Sequence, residues 1–108
     1  MNKLYGYAGK LLRVDLTNER ITEETLDEET VRKYIGGTGI GAKYLYEEVP
    51  PGIDCYQPEN RLIFAAGPLS GTPVHGSSNI AAVGKGPLTN GATASLANGF
   101  LAAYMKMS

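Results

Sequence analysis

RLIFAA (Arg61–Ala66), followed by GPLSGTPV (Gly67–Val74), is the stretch that decides how this chain folds. A short apolar run bounded by turn signals predicts a buried strand. The glycines and prolines after it end that strand in a turn at its C-terminal mouth. Small residues and free N–H groups in such a turn suit close approach of a phosphate or a planar ring. They equally suit a tight turn that lets two strands pack. As far as Gly91 the sequence stays small and poor in charge, and Ile80-Ala81-Ala82-Val83 is the one clear strand within it. The fourteen glycines and six prolines cluster, so backbone rather than side chains is expected to meet whatever binds here.

Upstream, Leu12, Val14 and Leu16 alternate with Arg13 and Asp15, the period of a half-buried strand. Thr17-Asn18-Glu19 reads as a hairpin turn, and Arg20 to Leu26 returns as an antiparallel, more solvated strand. Asp27-Glu28-Glu29 places acids where a helix dipole favours them, predicting a helix over Glu28–Ile35. Val31, Tyr34 and Ile35 supply its buried stripe, and Gly36-Gly37 closes it in the left-handed conformation. A second helix is predicted over Ile40–Glu48, with Tyr44, Leu45 and Val49 on one face, stopped by Pro50-Pro51. Downstream, Phe100–Met107 can start a helix with Phe100, Leu101, Tyr104 and Met105 facing inward. The fold class is therefore α+β, sheet-based, with two short helices, and residues 1–108 read as one unit that is part of a larger domain. The run FLAAYMKM at the end reads as an amphipathic stretch awaiting further chain to pack against.

Composition removes several functions. With 43% hydrophobic and 19% charged residues the chain has the make-up of a folded domain. A net charge of -1 offers no basic field for nucleic acid or anionic lipid. No run is long and apolar enough to span a membrane, and Met1 to Lys10 lacks the apolar core of a leader. Cys55 is the single cysteine, set in a Pro/Asp-rich loop without basic neighbours, and reads as an ordinary reduced thiol. One thiol and one histidine, His75, cannot build a Cys/His metal cage or hold an iron–sulfur cluster. A cytoplasmic location fits these features.

Gly37-Thr38-Gly39-Ile40-Gly41-Ala42 matches the dinucleotide fingerprint in form, but that chemistry needs a strand before it. A helical pattern precedes it, so a glycine link between helices is the expected role. Lys85, in Lys85-Gly86-Pro87-Leu88-Thr89, either meets a phosphate or is a solvated lysine. Asn98-Gly99 is a common turn pair.

Taken in order, GYAGKLLRVDLT (Gly6–Thr17), RKYIGGTGIGAKYLYEEVPPGID (Arg32–Asp54), PENRLIFAAGPLSGTPV (Pro58–Val74) and KGPLT (Lys85–Thr89) resemble the opening of the aldehyde:ferredoxin oxidoreductases. The resemblance runs from residue 6 to the end. It implies a much longer enzyme that oxidises aldehydes to carboxylic acids at a tungsten bis-pyranopterin. It further implies magnesium at the pterin phosphates, and electrons leaving through a [4Fe–4S] cluster to ferredoxin. The cluster ligands and acid–base residues would lie beyond residue 108, so no catalytic residue is expected in this chain. The implied partners are the remainder of the enzyme or a complementing subunit, and ferredoxin.

By position, the resemblance implies cofactor contacts at Asn79, Lys85, Leu96, Asn98 and Gly99. Asn79 stands where the family usually has an arginine on a pterin phosphate, and asparagine keeps a donor but lacks the charge. Leu96 stands where a backbone carbonyl would meet magnesium, a role that survives a change of side chain. Two other readings stay open. One is a non-catalytic remnant that acts as an interaction module or self-associates through Phe100–Met107. The other is a nucleotide-binding module at Gly37–Ala42.

Overall fold

The computed structural model describes residues 4–108; Met1–Lys3, part of the stretch read above as lacking a leader, lie outside it. The first element is a hairpin of β1 (Lys10–Asp15) and β2 (Arg20–Thr25), antiparallel with Leu12 opposite Glu23 and Val14 opposite Ile21. Asp15 makes the turn. Its carboxylate accepts from the N–H groups of Thr17 and Asn18 and from the Asn18 side chain.

The hairpin matches the sequence reading, but its covered face does not. Leu12, Val14 and Ile21 are more than half exposed, while Leu11 and Arg13 turn inward. The cause is an ion pair. Arg13 grips both carboxylate oxygens of Glu48 at 2.5 and 2.9 Å, and Nε donates to Glu24 at 2.6 Å. A bidentate, charge-assisted pair fixes orientation strongly, and it pulls the Arg13 side of the hairpin onto the helix that carries Glu48.

Helix α1 (Glu28–Tyr34) begins at Asp27, whose side chain accepts from the Thr30 N–H at 2.6 Å. Of its expected stripe, Val31 is buried but Tyr34 and Ile35 are exposed. The cap also differs. Ile35 itself takes φ 64° and ψ -68°, and the Gly36 N–H donates to the Tyr34 carbonyl at 2.7 Å. That is a strained three-residue turn for a β-branched residue, and the Tyr7 hydroxyl holds it by donating to the Ile35 carbonyl at 2.6 Å.

Helix α2 (Thr38–Glu48) ends before Pro50-Pro51 as expected. Ile40 packs with Leu26 and Val31, and Tyr7 and Tyr44 lie against them. Leu45 packs with Ala81 and Val83, flanked by Val49 and Ile63. So α2 joins the hairpin side of the molecule to a second sheet of β3 (Leu62–Ala66), β4 (Asn79–Lys85) and β5 (Ala92–Asn98), antiparallel in the order β3-β4-β5.

Strand β4 is central and largely buried, whereas β3 exposes Leu62 and Phe64 and is half-buried rather than buried. Sequence reading missed β5, which is exposed along its whole length. The last helix, α3 (Leu101–Met107), reverses the expected face. Phe100, Leu101 and Tyr104 are exposed, and Ala102 and Ala103 are buried. Methyl-sized side chains let this helix settle close to the turn after β3.

Candidate cofactor mouth

Antiparallel order brings the C-terminal ends of β3 and β5 and the start of β4 to one end of the sheet. Asn79 lies opposite Asn98, and Ile80 opposite Ala66. Here the turn Gly67–Gly71, the segment Ser77–Asn79 and the pair Asn98-Gly99 gather. The α1–α2 link closes one side: the Gly37 N–H donates to the Ala66 carbonyl at 3.1 Å. A Cβ on Gly36 would lie 2.8 Å from that same carbonyl oxygen, so glycine is needed for this approach.

Short polar side chains tie the loops together. Ser70 is 2% exposed, and its hydroxyl is shared between the carbonyls of Ser77 (3.3 Å) and Asn79 (3.4 Å). Ser77 Oγ donates to the Leu69 carbonyl at 2.8 Å. The Gly99 N–H donates to the Ser78 carbonyl at 3.1 Å, with Gly99 at φ 125° and open space where a Cβ would stand.

Beneath the turn, Lys106 Nζ donates to the carbonyls of Gly67 (3.3 Å), Pro68 (2.7 Å) and Ser70 (2.9 Å). Burial holds its pKa below the usual lysine value. Sequence reading passed over Lys106. The available signal was its helical spacing from Ala102 and Ala103, which puts it on the packed face.

Four of the five sequence-derived site residues belong to this end: Asn79, Leu96, Asn98 and Gly99. Lys85 does not. It ends β4 opposite Ala92, and the ordinary rise of a strand puts it roughly 20 Å from Asn79. Its contiguity in sequence with the other motifs concealed the reversal of direction.

The β4–β5 ladder also orients Leu96. The Gly99-to-Ser78 and Gly86-to-Gly91 bonds set which opposed pairs exchange hydrogen bonds. The alternation of an antiparallel ladder then turns the N–H and C=O of Leu96 away from β4, onto the free edge of β5.

Side chains here offer amides, hydroxyls and one clamped ammonium. Among the described residues no group of three or more His, Cys, Asp or Glu can hold a metal ion. Cys55 lies elsewhere, its thiol pushed up by burial and then by Asp54, so it is no activated nucleophile. A shallow hollow of about 340 Å³ lined by Tyr34, Gly39, Ala42, Lys43, Tyr46 and Glu47 shares no residue with the mouth.

The glycine motif at Gly37–Ala42 joins α1 to α2 and has no strand before it. A Cβ on Gly41 would come within 2.6 Å of a Val83 methyl, so this glycine serves helix–sheet packing.

This end of the sheet is thus a mouth of backbone groups and small side chains. Residues 11–108 match the family model described as aldehyde ferredoxin oxidoreductase, N-terminal domain. The chain belongs to that family. It is 40% identical over 105 residues to a tungsten-containing aldehyde ferredoxin oxidoreductase of Pyrococcus abyssi, covering 97% of this chain and 17% of that protein. It is 35% identical over 106 residues to an aliphatic sulfonate oxidoreductase, WOR-like subunit, of Pyrococcus furiosus, covering 95% of this chain and 17% of that one. A solved structure of the active site complex BamBC of benzoyl coenzyme A reductase, in complex with 1,5 dienoyl-CoA, superposes with a TM-score of 0.91 at 39% identity. That match covers 94% of this chain and 16% of the other. The chain therefore spans about 17% of the length of the curated relatives.

Proposed function

We propose that residues 1–108 form the cofactor-cradling N-terminal part of a tungsten-dependent aldehyde:ferredoxin oxidoreductase. The observation that carries this reading is the convergence of Gly67–Gly71, Ser77–Asn79 and Asn98-Gly99 at one sheet end, in a chain whose relatives are named tungsten-containing enzymes.

The mouth fits a bis-pyranopterin in two respects. Ser78 Oγ is buried without a hydrogen-bond partner among the described residues, a group that a ligand can satisfy. Gly67, Gly76 and Gly99 leave open space where a Cβ would stand, so a flat ring system can lie against backbone. Asn79 and Asn98 flank that space and would donate to cofactor oxygens. The Leu96 carbonyl, on the free edge, would be the group to meet magnesium. When bound, the tungsten–pterin group supplies the redox chemistry; this chain's residues bind it, orient it and cover one side of it. Lys85 lies outside the mouth and has no part in this reading.

The [4Fe–4S] cluster and its ligands, the substrate site and the ferredoxin contact belong to the remainder of the enzyme or a complementing subunit, in the cytoplasm. No described helix is long and apolar enough to cross a membrane. The three relatives carry names with three different substrates, as expected if a shared N-terminal cradle leaves substrate choice to other parts.

A chimera tests the proposal: residues 1–108 joined to the remaining chain of the Pyrococcus abyssi relative. Tungsten and pterin content and aldehyde-dependent dye reduction would be measured. Cofactor retention at the relative's level supports the reading; a folded chimera holding neither tungsten nor pterin overturns it.

A further inference from the structure

We propose that Lys106 is a positioning residue, which sets the Gly67–Gly71 turn so that the Leu69 and Gly71 N–H groups face away from α3 as donors to an oxyanion. The inference rests on the cofactor reading above for the identity of that ligand, but its geometry stands alone.

An ammonium has three donors. Those of Lys106 meet three carbonyls within four consecutive residues, Gly67, Pro68 and Ser70. Lys106 can come that close because Ala102 and Ala103, one turn before it, are small and buried, with Ala103 set against Gly71. Gly71, at φ 79°, lies with Ala103 and Met107 against it.

A trans peptide is planar, its C=O and N–H pointing in opposite directions. Drawing the carbonyls of Pro68 and Ser70 onto Lys106 therefore drives the N–H groups of Leu69 and Gly71 the other way. The peptide after Gly67 has no N–H, because Pro68 follows it. Without the clamp those peptides are free to rotate, and each carbonyl that swings outward presents negative charge to an anionic ligand. Lys106 thus acts through the turn. Its own donors are all engaged, and it does not touch the ligand.

Two variants separate this role from a general one. Lys106→Met keeps the length and apolar stem but has no donor; Lys106→Arg keeps donors and charge. In the 108-residue chain, amide hydrogen exchange is read at Ser70 and Thr72, whose N–H groups close the turn, and at Ile80–Val83 in β4. Lys106→Met should speed exchange at Ser70 and Thr72 at least tenfold and leave β4 within twofold, with Lys106→Arg restoring most of the protection. Unchanged turn amides, or equal acceleration of turn and β4, would overturn the proposal.

In the chimera, Lys106→Met should lower bound pterin at least fivefold at unchanged melting temperature. Pterin retained in full by Lys106→Met overturns the positioning role and leaves the cofactor reading intact. An unsubstituted chimera without pterin overturns the cofactor reading instead, while the exchange result still decides the clamp.

Discussion

Glu48 shows how much structure one side chain can carry. It accepts two hydrogen bonds from Arg13, which hold its carboxyl below the usual carboxylate range. A pKa lower in the folded than in the unfolded chain adds stability that is complete above the ordinary glutamate pKa. That stability is lost as pH falls through the depressed folded value. Glu48→Gln should therefore cost about 1 kcal/mol at pH 7, a charge-assisted pair discounted for partial exposure. It should also flatten the acid limb of stability below pH 5. Urea midpoints at pH 7 and pH 3 measure both; parallel losses at the two values would show that the ion pair is not the cause. Asn79 bears on the proposed cofactor binding. It is exposed beside the mouth, so Asn79→Arg in the chimera should strengthen pterin retention by about 1.5–3 kcal/mol through a charged contact to phosphate. Pterin content after dialysis checks this, and an equal or lower content means the phosphate sits elsewhere.

Among elements, α2 has the tightest seat. Gly41 lets it press on β4, and Gly41→Ala would drive a methyl into the stiff, branched Val83. The expected loss is about 1–3 kcal/mol, the usual cost of overpacking, visible as a lower melting temperature with a native-like far-UV spectrum. A neutral result would show that the helix shifts freely on the sheet. The hairpin, α1, α2 and β4 were legible because Asp27, Pro50-Pro51 and the apolar runs mark their ends locally. Strand β5 was not. In ATASLAN, Ala92, Ala94 and Leu96 alternate with Thr93 and Ser95, but side chains this small mark no apolar face, and its place in the sheet comes from pairing with β4. Burial faces failed for a related reason. Period two or 3.6 identifies an apolar side, but what covers it is set by neighbours distant in sequence. Arg13 turned β1 over, and the paired alanines beside Lys106 turned α3. Of the residues suggested by family wording, Asn79, Leu96, Asn98 and Gly99 lie towards one end of the sheet and Lys85 at the other, a separation that strand direction sets and a motif does not show. Lys106 needed three dimensions, since its partners lie 36 to 39 residues away.

For the molecule as a whole, the balance of covered and uncovered surface stands out. Leu12, Val14 and Ile21 on the hairpin, Phe64 and Leu96 on the sheet, and Phe100, Leu101 and Tyr104 around α3 are all more than half exposed. Apolar patches and an open sheet edge of this kind favour association. Purified alone, the 108-residue chain should be inactive toward aldehydes and should self-associate at micromolar concentration. Light scattering and dye reduction test the two halves. A stable monomer reducing dye with aldehyde would sink the proposed function, and a stable inactive monomer would favour a stand-alone interaction module.

The outward carbonyl of Leu96 sets a condition on whatever lies beside it. The free edge of β5 offers Ala92, Ala94, Leu96 and Asn98 to a neighbour, by the alternation that fixes Leu96. A strand annealed along that whole edge would engage one lone pair of the Leu96 oxygen in its ladder and crowd a cation beside it. A strand that stopped at Ala94 would spare it. If magnesium binds here as proposed, the reach of the adjoining strand, counted in residues, would set how freely the Leu96 oxygen serves it.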